Sequence, residues 1–163
     1  MKRNVLIVDD SEFTRNYHSY ILREANFNVV TAVDGADALE KLFSRSFDLV
    51  LTDINMANMD GYEFIRQVRS NGDYTDLPII IISTESEAED KSRGFLAGAN
   101  FYIVKPSDPK PLIENICMVL GIDGLHSDSS RVNDAKGSNN EVVRPKANIS
   151  GTNGSQGKQS GDS

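Results

Sequence analysis

Cysteine is nearly absent from this chain of 163 residues, which has Cys117 alone and only two histidines, His18 and His126. One thiol cannot close an internal disulfide, so stability must come from a packed core, and a reducing compartment fits. Cys117 falls on the apolar face of a helical stretch and reads as inert core. Neither histidine sits in a metal-ligand or phosphohistidine pattern. Basic charge is also short. Against 24 Asp and Glu stand 17 Lys and Arg, a net charge of -7 with a pI near 4.8. That balance argues against a nucleic-acid partner held on a basic face. Long apolar runs are missing too. Lys2 and Arg3 are followed only by the short run Val5 to Val8 before Asp9 and Asp10, too little for a secretory leader. No stretch approaches membrane-spanning length. The expected setting is cytoplasmic, with no membrane partner.

What is present is ordinary for one globular domain: 39% hydrophobic and 25% charged residues. The charge is uneven. Residues 1–123 carry 12 basic and 20 acidic side chains, a balance of -8, and residues 124–163 carry 5 and 4, a balance of +1. Gly, Ser and Asn make up 19 of those last 40 residues, and no apolar period survives there. We expect a folded unit over 1–123 and a disordered tail over 124–163, because such a tail cannot bury enough to offset its ordering entropy.

The folded part is organised around Asp48-Leu49-Val50-Leu51-Thr52-Asp53, an apolar strand that runs into a carboxylate. Val5 to Val8 likewise ends in Asp9-Asp10, Ile79 to Ile82 ends in Ser83-Thr84, and Phe101 to Val104 ends in Lys105-Pro106. Between the strands the period changes to that of helices. Phe13, Tyr17 and Ile21 are expected to form the buried face of a first helix, capped by Asp10 or Ser11 and ended near Asn26. Asp34-Gly35 opens a helix that buries Leu39, Leu42 and Phe43, and Asp60-Gly61 opens one that buries Phe64, Ile65 and Val68. Ser86-x-x-Glu89 reads as a capping box for a helix ending near Gly98, and Asp108-Pro109 starts the last helix. Five alternations of strand and helix in about 120 residues call for an α/β fold with a doubly wound parallel sheet covered on both faces. Right-handed crossovers leave 2-1-3-4-5 as the natural strand order for five strands. In such sheets ligands sit beyond the carboxyl ends of the strands.

Convergence of Asp9, Asp10 and Asp53 on that edge would set three carboxylates in one small volume, a mutual repulsion that calls for a cation. A hard divalent ion with oxygen ligands suits, Mg²⁺ best. With charge on an incoming phosphoryl group neutralised, Asp53 could attack as a nucleophile, with Lys105 and the Ser83 hydroxyl at other phosphoryl oxygens. Each residue alone has a plainer reading: Asp9-Asp10 as a helix cap, Ser83 bonded to its own backbone, Lys105 as a solvated charge. The conjunction of four strand ends, in order, favours the functional one.

Residues 3 to about 121 resemble the receiver domain of two-component response regulators, in particular the single-domain CheY-like regulators. The motifs are Val8-Asp9-Asp10, Asp53-Ile54-Asn55-Met56, Asp60-Gly61, Ser83-Thr84-Glu85, Gly98-Ala99 and Tyr102-Ile103-Val104-Lys105-Pro106. The resemblance implies a flavodoxin-like (βα)5 fold that is a switch and not an enzyme. It implies phosphoryl transfer from a sensor histidine kinase to Asp53. It further implies Mg²⁺ held by Asp10, Asp53 and the Asn55 carbonyl, with Asp9 acting through water. Ser83 and Lys105 would sense the phosphoryl group, Thr84 and Tyr102 would belong to the switch, and Asn55 and Glu85 would tune the lifetime of the acyl phosphate. A cis Lys105-Pro106 bond is implied, as is a downstream protein target on the fourth helix, fifth strand and fifth helix, about residues 86–120, with chemotaxis as the pathway by analogy. Ala57 replaces a common proline, and Thr84 stands where a smaller residue is usual. Among alternatives, a phosphorelay intermediate or a truncated receiver would share this site. A haloacid-dehalogenase-type phosphatase would need a second carboxylate where Asn55 stands. A flavodoxin-like cofactor binder would need a phosphate loop in place of Asp9-Asp10-Ser11-Glu12.

Overall fold

A computed structural model of the chain describes residues 1–122 and 142–143. Five parallel strands, β1 (Asn4–Val8), β2 (Asn28–Ala32), β3 (Leu49–Thr52), β4 (Ile79–Ser83) and β5 (Phe101–Val104), alternate with α1 (Glu12–Glu24), α2 (Gly35–Ser44), α3 (Gly61–Ser70), α4 (Ala88–Ala97) and α5 (Pro109–Val119). A sixth strand, β6 (Val142–Val143), lies antiparallel to β5, and the sheet order is β2-β1-β3-β4-β5-β6. The five parallel strands thus have the expected order 2-1-3-4-5. The expectation of an unstructured tail fails at Val142 and Val143; the remainder of 124–163 lies outside the described residues.

The apolar strands are buried on both faces, and the period of two along each strand divides their side chains between two cores. Leu6, Val8, Val50, Ile79, Ile81 and Tyr102 pack with α2, α3 and α4 residues such as Leu42, Phe64, Ile65 and Ala97. Val5, Ile7, Leu49, Leu51, Ile80, Ile82 and Ile103 pack with Leu22 of α1 and Leu112, Ile116 and Cys117 of α5. Ser11, Asp34 and Asp60 cap α1, α2 and α3 by accepting from the backbone N–H three residues on. Asn26 takes φ 67° after α1, and Gly98 takes φ 116° after α4.

Three helical readings need correction. Phe13 and Tyr17 face solvent, at 82% and 40% exposure; α1 instead buries His18, Ser19, Ile21 and Leu22. Weighting the aromatics set the helix in the wrong phase. Phe43 is exposed too, against the side of Tyr74. The Ser86 capping box does not form, since α4 begins at Ala88 after Glu87, with no side-chain cap bond.

One packing contact holds the site loop against α3. Gly61 donates its N–H to the Ile54 carbonyl at 2.8 Å. A Cβ at Gly61 would run into the Asp53 carbonyl oxygen and stand 2.8 Å from the Ile54 Cα, both backbone atoms that cannot swing aside. Gly61→Ala is therefore expected to lower unfolding stability by about 1–3 kcal/mol. Gly72→Ala, where a Cβ meets nothing within 4 Å, should stay within about 0.5 kcal/mol of the parent. Paired urea titrations measure both.

Candidate functional site

Register brings the strand ends together. Val8 of β1 pairs with Ala32 on one side and Thr52 on the other. Asp9 and Asp53 therefore leave the sheet side by side, and the Asp53 N–H donates to the Val8 carbonyl at 2.9 Å. Ser83 of β4 pairs with Val104 of β5, and the next residue, Lys105, donates its N–H to the Ser83 carbonyl at 2.7 Å. The Lys105-Pro106 peptide is cis, as the resemblance implied.

From there the Lys105 Nζ reaches Asp9 Oδ2 at 2.8 Å and Asp53 Oδ2 at 2.9 Å. The side chains of Lys105 and Asp53 are each 13% exposed and that of Asp9 only 2%. Burial works against the ammonium, but its hydrogen bonds to Asp9 and Asp53 outweigh that, so the Lys105 pKa lies above the ordinary lysine value. The second oxygens are held by backbone: Ser11 N–H donates to Asp9 Oδ1 at 2.9 Å, and Ile54 N–H to Asp53 Oδ1 at 2.6 Å. Asp10 is exposed at the rim, and carboxylate oxygens of Asp9, Asp10 and Asp53 all lie within 4.8 Å of one another. Such a set of hard oxygen donors, open on the Asp10 side, could hold a metal ion and suits Mg²⁺.

The neighbouring residues follow the strands. Ser83 is fully buried, and its Oγ accepts from Glu85 N–H at 3.2 Å. Thr84 is exposed. The Asn55 side-chain amide donates to Glu85 Oε1 at 2.8 Å, tying the loop after β3 to the loop after β4. Tyr102 is fully buried, and its hydroxyl donates to the Glu85 carbonyl at 2.9 Å. Burial first, and then the nearby Tyr62, push its phenol well above the usual tyrosine range. A cleft of about 590 Å³ among Phe43, Phe47, Tyr74 and Leu77 opens near the amino ends of β3 and β4 and contains none of these residues.

Sequence reading sets His18 aside as outside any metal-ligand or phosphohistidine pattern and does not place it inside the fold. It is 2% exposed on the inner face of α1, and its Nδ1 has no hydrogen-bond partner. Burial, followed by the charge on Lys105, lowers its pKa to about 4. The i, i+3, i+4 spacing of His18, Ile21 and Leu22 is the signal that would have marked it as inward.

A doubly wound parallel sheet carrying three acids and a lysine on its carboxyl edge defines the receiver class of signalling domain. The chain belongs to it: residues 5–117 match the family model of the response regulator receiver domain. Over 116 residues the chain is 38% identical to the response regulator ArlR of Staphylococcus saprophyticus, covering 71% of this chain and 51% of that protein. It is also 38% identical, over 101 residues, to a gliding motility regulatory protein of Myxococcus xanthus, covering 62% of this chain and 13% of the relative. The chain thus spans about half, or less, of these curated relatives. Among solved structures it is similar to the chemotaxis response regulator CheY4 of Vibrio cholerae, with a TM-score of 0.70, 38% identity, and coverage of 73% of this chain and 99% of that one. A response regulator of Chloroflexus aurantiacus described as putative gives a TM-score of 0.72 at 30% identity, with coverage of 74% and 99%. Receiver domains work in two-component signalling with histidine kinases and downstream targets. Among the described residues, no helix is long and apolar enough to cross a membrane.

The neutral His18 has a measurable consequence. A group whose folded pKa is depressed stabilises fully above its unfolded pKa of about 6.5, and that stability drains as pH falls toward the folded value of about 4. Between pH 7.5 and 5.0 the parent should lose about 2 kcal/mol that a His18→Val variant keeps. Urea unfolding of both proteins at the two pH values gives the difference.

Proposed function

We propose that the chain is a phosphorylation-driven switch in which Asp53 accepts a phosphoryl group. One observation carries the reading: Lys105 bridges the carboxylates of Asp9 and Asp53, inside a cluster that Asp10 completes. In the transfer, an Asp53 carboxylate oxygen attacks phosphorus, an O–P bond forms, and the P–N bond of the donor phosphohistidine breaks to release imidazole. Mg²⁺ would be held by Asp10, Asp53 and the Asn55 carbonyl, with Asp9 acting through water, and would supply charge neutralisation when bound. Lys105 and the Ser83 hydroxyl are the groups of this chain that meet the new phosphoryl oxygens. Ser83, Thr84 and Tyr102 then shift as the switch, and Asn55 and Glu85, joined in this structure, set the lifetime of the acyl phosphate.

The phosphodonor is a sensor histidine kinase. The solvent-facing Phe13, Tyr17 and Tyr20 of α1 form an aromatic stripe directly after Asp10, where a donor protein can rest while reaching Asp53. A downstream protein binds the α4-β5-α5 face. Chemotaxis as the pathway rests on likeness to the Vibrio cholerae regulator, and a cytoplasmic setting is part of the same proposal. Regulators that act through a second domain, like phosphorelay intermediates, would share this site. The phosphatase reading loses ground, because the residue two places after Asp53 is an amide bonded to Glu85 and not a proton-donating carboxyl.

Intact mass after incubation with acetyl phosphate tests the proposal. The parent should gain one phosphoryl group with Mg²⁺ and none with chelator, and the adduct should be acid-stable and base-labile. Asp53→Asn should gain none, while Asp10→Asn should need at least about tenfold more Mg²⁺. An adduct that survives Asp53→Asn would sink the assignment.

A further inference from the structure

We propose that the outer edge of β5 is a strand-docking site that the chain closes in cis with Val142–Val143, so that a partner adding an extended segment there must first displace the tail. Without β6, β5 would be an edge strand presenting unpaired N–H and C=O groups, a template for any extended chain. The structure fills that edge in antiparallel register, with Tyr102 opposite Val143 and Ile103 opposite Val142.

The occupant is distinctive within its own segment. Val142-Val143 is the one pair of adjacent β-branched residues in 124–163, a stretch otherwise rich in Gly, Ser and Asn. Such a pair suits a strand, where β-branched residues pack well. Arg144-Pro145 follows it, and Pro145 has no N–H with which to continue a ladder. The docked strand is therefore short by design of its sequence and easy to displace. Charge favours the arrangement, since a tail of balance +1 meets a body of balance -8. Reach is ample: the 19 residues between Ile122 and Val142 can span up to about 60 Å when extended. A tethered segment of this kind competes at an effective concentration on the order of 1 mM, enough to hold the edge against weak non-specific pairing and to yield to a specific partner.

The edge is not remote from the rest of the molecule. Directly opposed residues share a sheet face, so Val143 lies on the face that Tyr102 occupies, and Val143 is itself partly buried. The same strand ends at Lys105. A partner on this edge therefore binds the element that holds the buried tyrosine.

Backbone resonance spectra of the full chain test the proposal without phosphorylation, so failure here leaves the Asp53 assignment untouched. The parent should show Hα and amide contacts between Val143 and Tyr102. In Val143→Pro, which removes one backbone N–H on the outer edge, the Tyr102 amide should exchange about tenfold faster, while the Ile103 amide, which faces β4, and those of β1 stay unchanged. A synthetic peptide of residues 139–147 should shift the Tyr102 and Ile103 signals of Val143→Pro at least about tenfold more readily than those of the parent. Absent Val143 contacts, unchanged exchange, or a peptide that acts on both proteins alike would overturn the proposal. So would contacts that fade on dilution, which assign the strand to a second copy.

Discussion

Repulsion among Asp9, Asp10 and Asp53 is the constraint on which this structure depends. Three carboxylates with oxygens inside 4.8 Å of one another cannot share a partly dry pocket without a cation. Lys105 is that cation in the structure described here, and it is shared between the two most buried acids. An ammonium on a flexible stem is a compact point charge, so it can hold Asp9 and Asp53 at once and can move when another positive charge arrives. The same ammonium that compensates the resting site is therefore placed to meet a phosphoryl oxygen. Under the proposed function, compensation at rest and recognition after transfer would be one property of one residue.

Everything that delivers Lys105 is backbone. Parallel pairing of Ser83 with Val104 fixes where β5 stops, and the Lys105 N–H on the Ser83 carbonyl fixes the first residue beyond it. The pairing of Val8 with Thr52 does the same for the two acids. The close approach of α3 at Gly61 keeps the Asp53 carbonyl and Ile54 against the start of that helix. Asp9, Asp53 and Lys105 are each the first residue after a strand, where the sheet has already decided direction, and not members of long loops.

This is also why so much of the site was readable from sequence. A continuous apolar run ending in a polar residue marks both the strand and its carboxyl edge, so Asp9, Asp10, Asp53, Ser83 and Lys105 could be named before any coordinates. Cap residues Ser11, Asp34 and Asp60 were equally legible, because a short side chain before an apolar period carries its own geometry. Helix faces were less so. Phe13 and Tyr17 match a four-residue period, yet their size is spent on the surface, while the smaller His18 and Ser19 turn inward. Hydrophobicity counted by residue type misses that an aromatic beside a site can serve a partner and not the core. Ser86 shows a different limit, since a capping box needs the helix to start where the box stands, and α4 starts later. The β6 strand left the weakest trace, two valines in a polar segment, because its partner is the edge of β5 and lies in no local pattern.

The element that unites these observations is β5. Its inner edge pairs with β4 and carries the register that places Lys105, and its outer edge pairs with Val142–Val143. Its core residue Tyr102 reaches the Glu85 carbonyl, in the loop that follows Ser83. In the proposed switch, a change at Asp53 that drew Ser83 or Lys105 would act on this strand from one side, and a protein segment displacing Val142–Val143 would act on it from the other. Linkage then requires reciprocity: whatever free energy a ligand on the outer edge spends in favouring one position of Tyr102 reappears in the affinity of the site for its charged state. A strand followed directly by Lys105, which bonds Asp9 and Asp53, and paired on its outer edge with β6 needs no longer pathway than its own four residues, Phe101 to Val104.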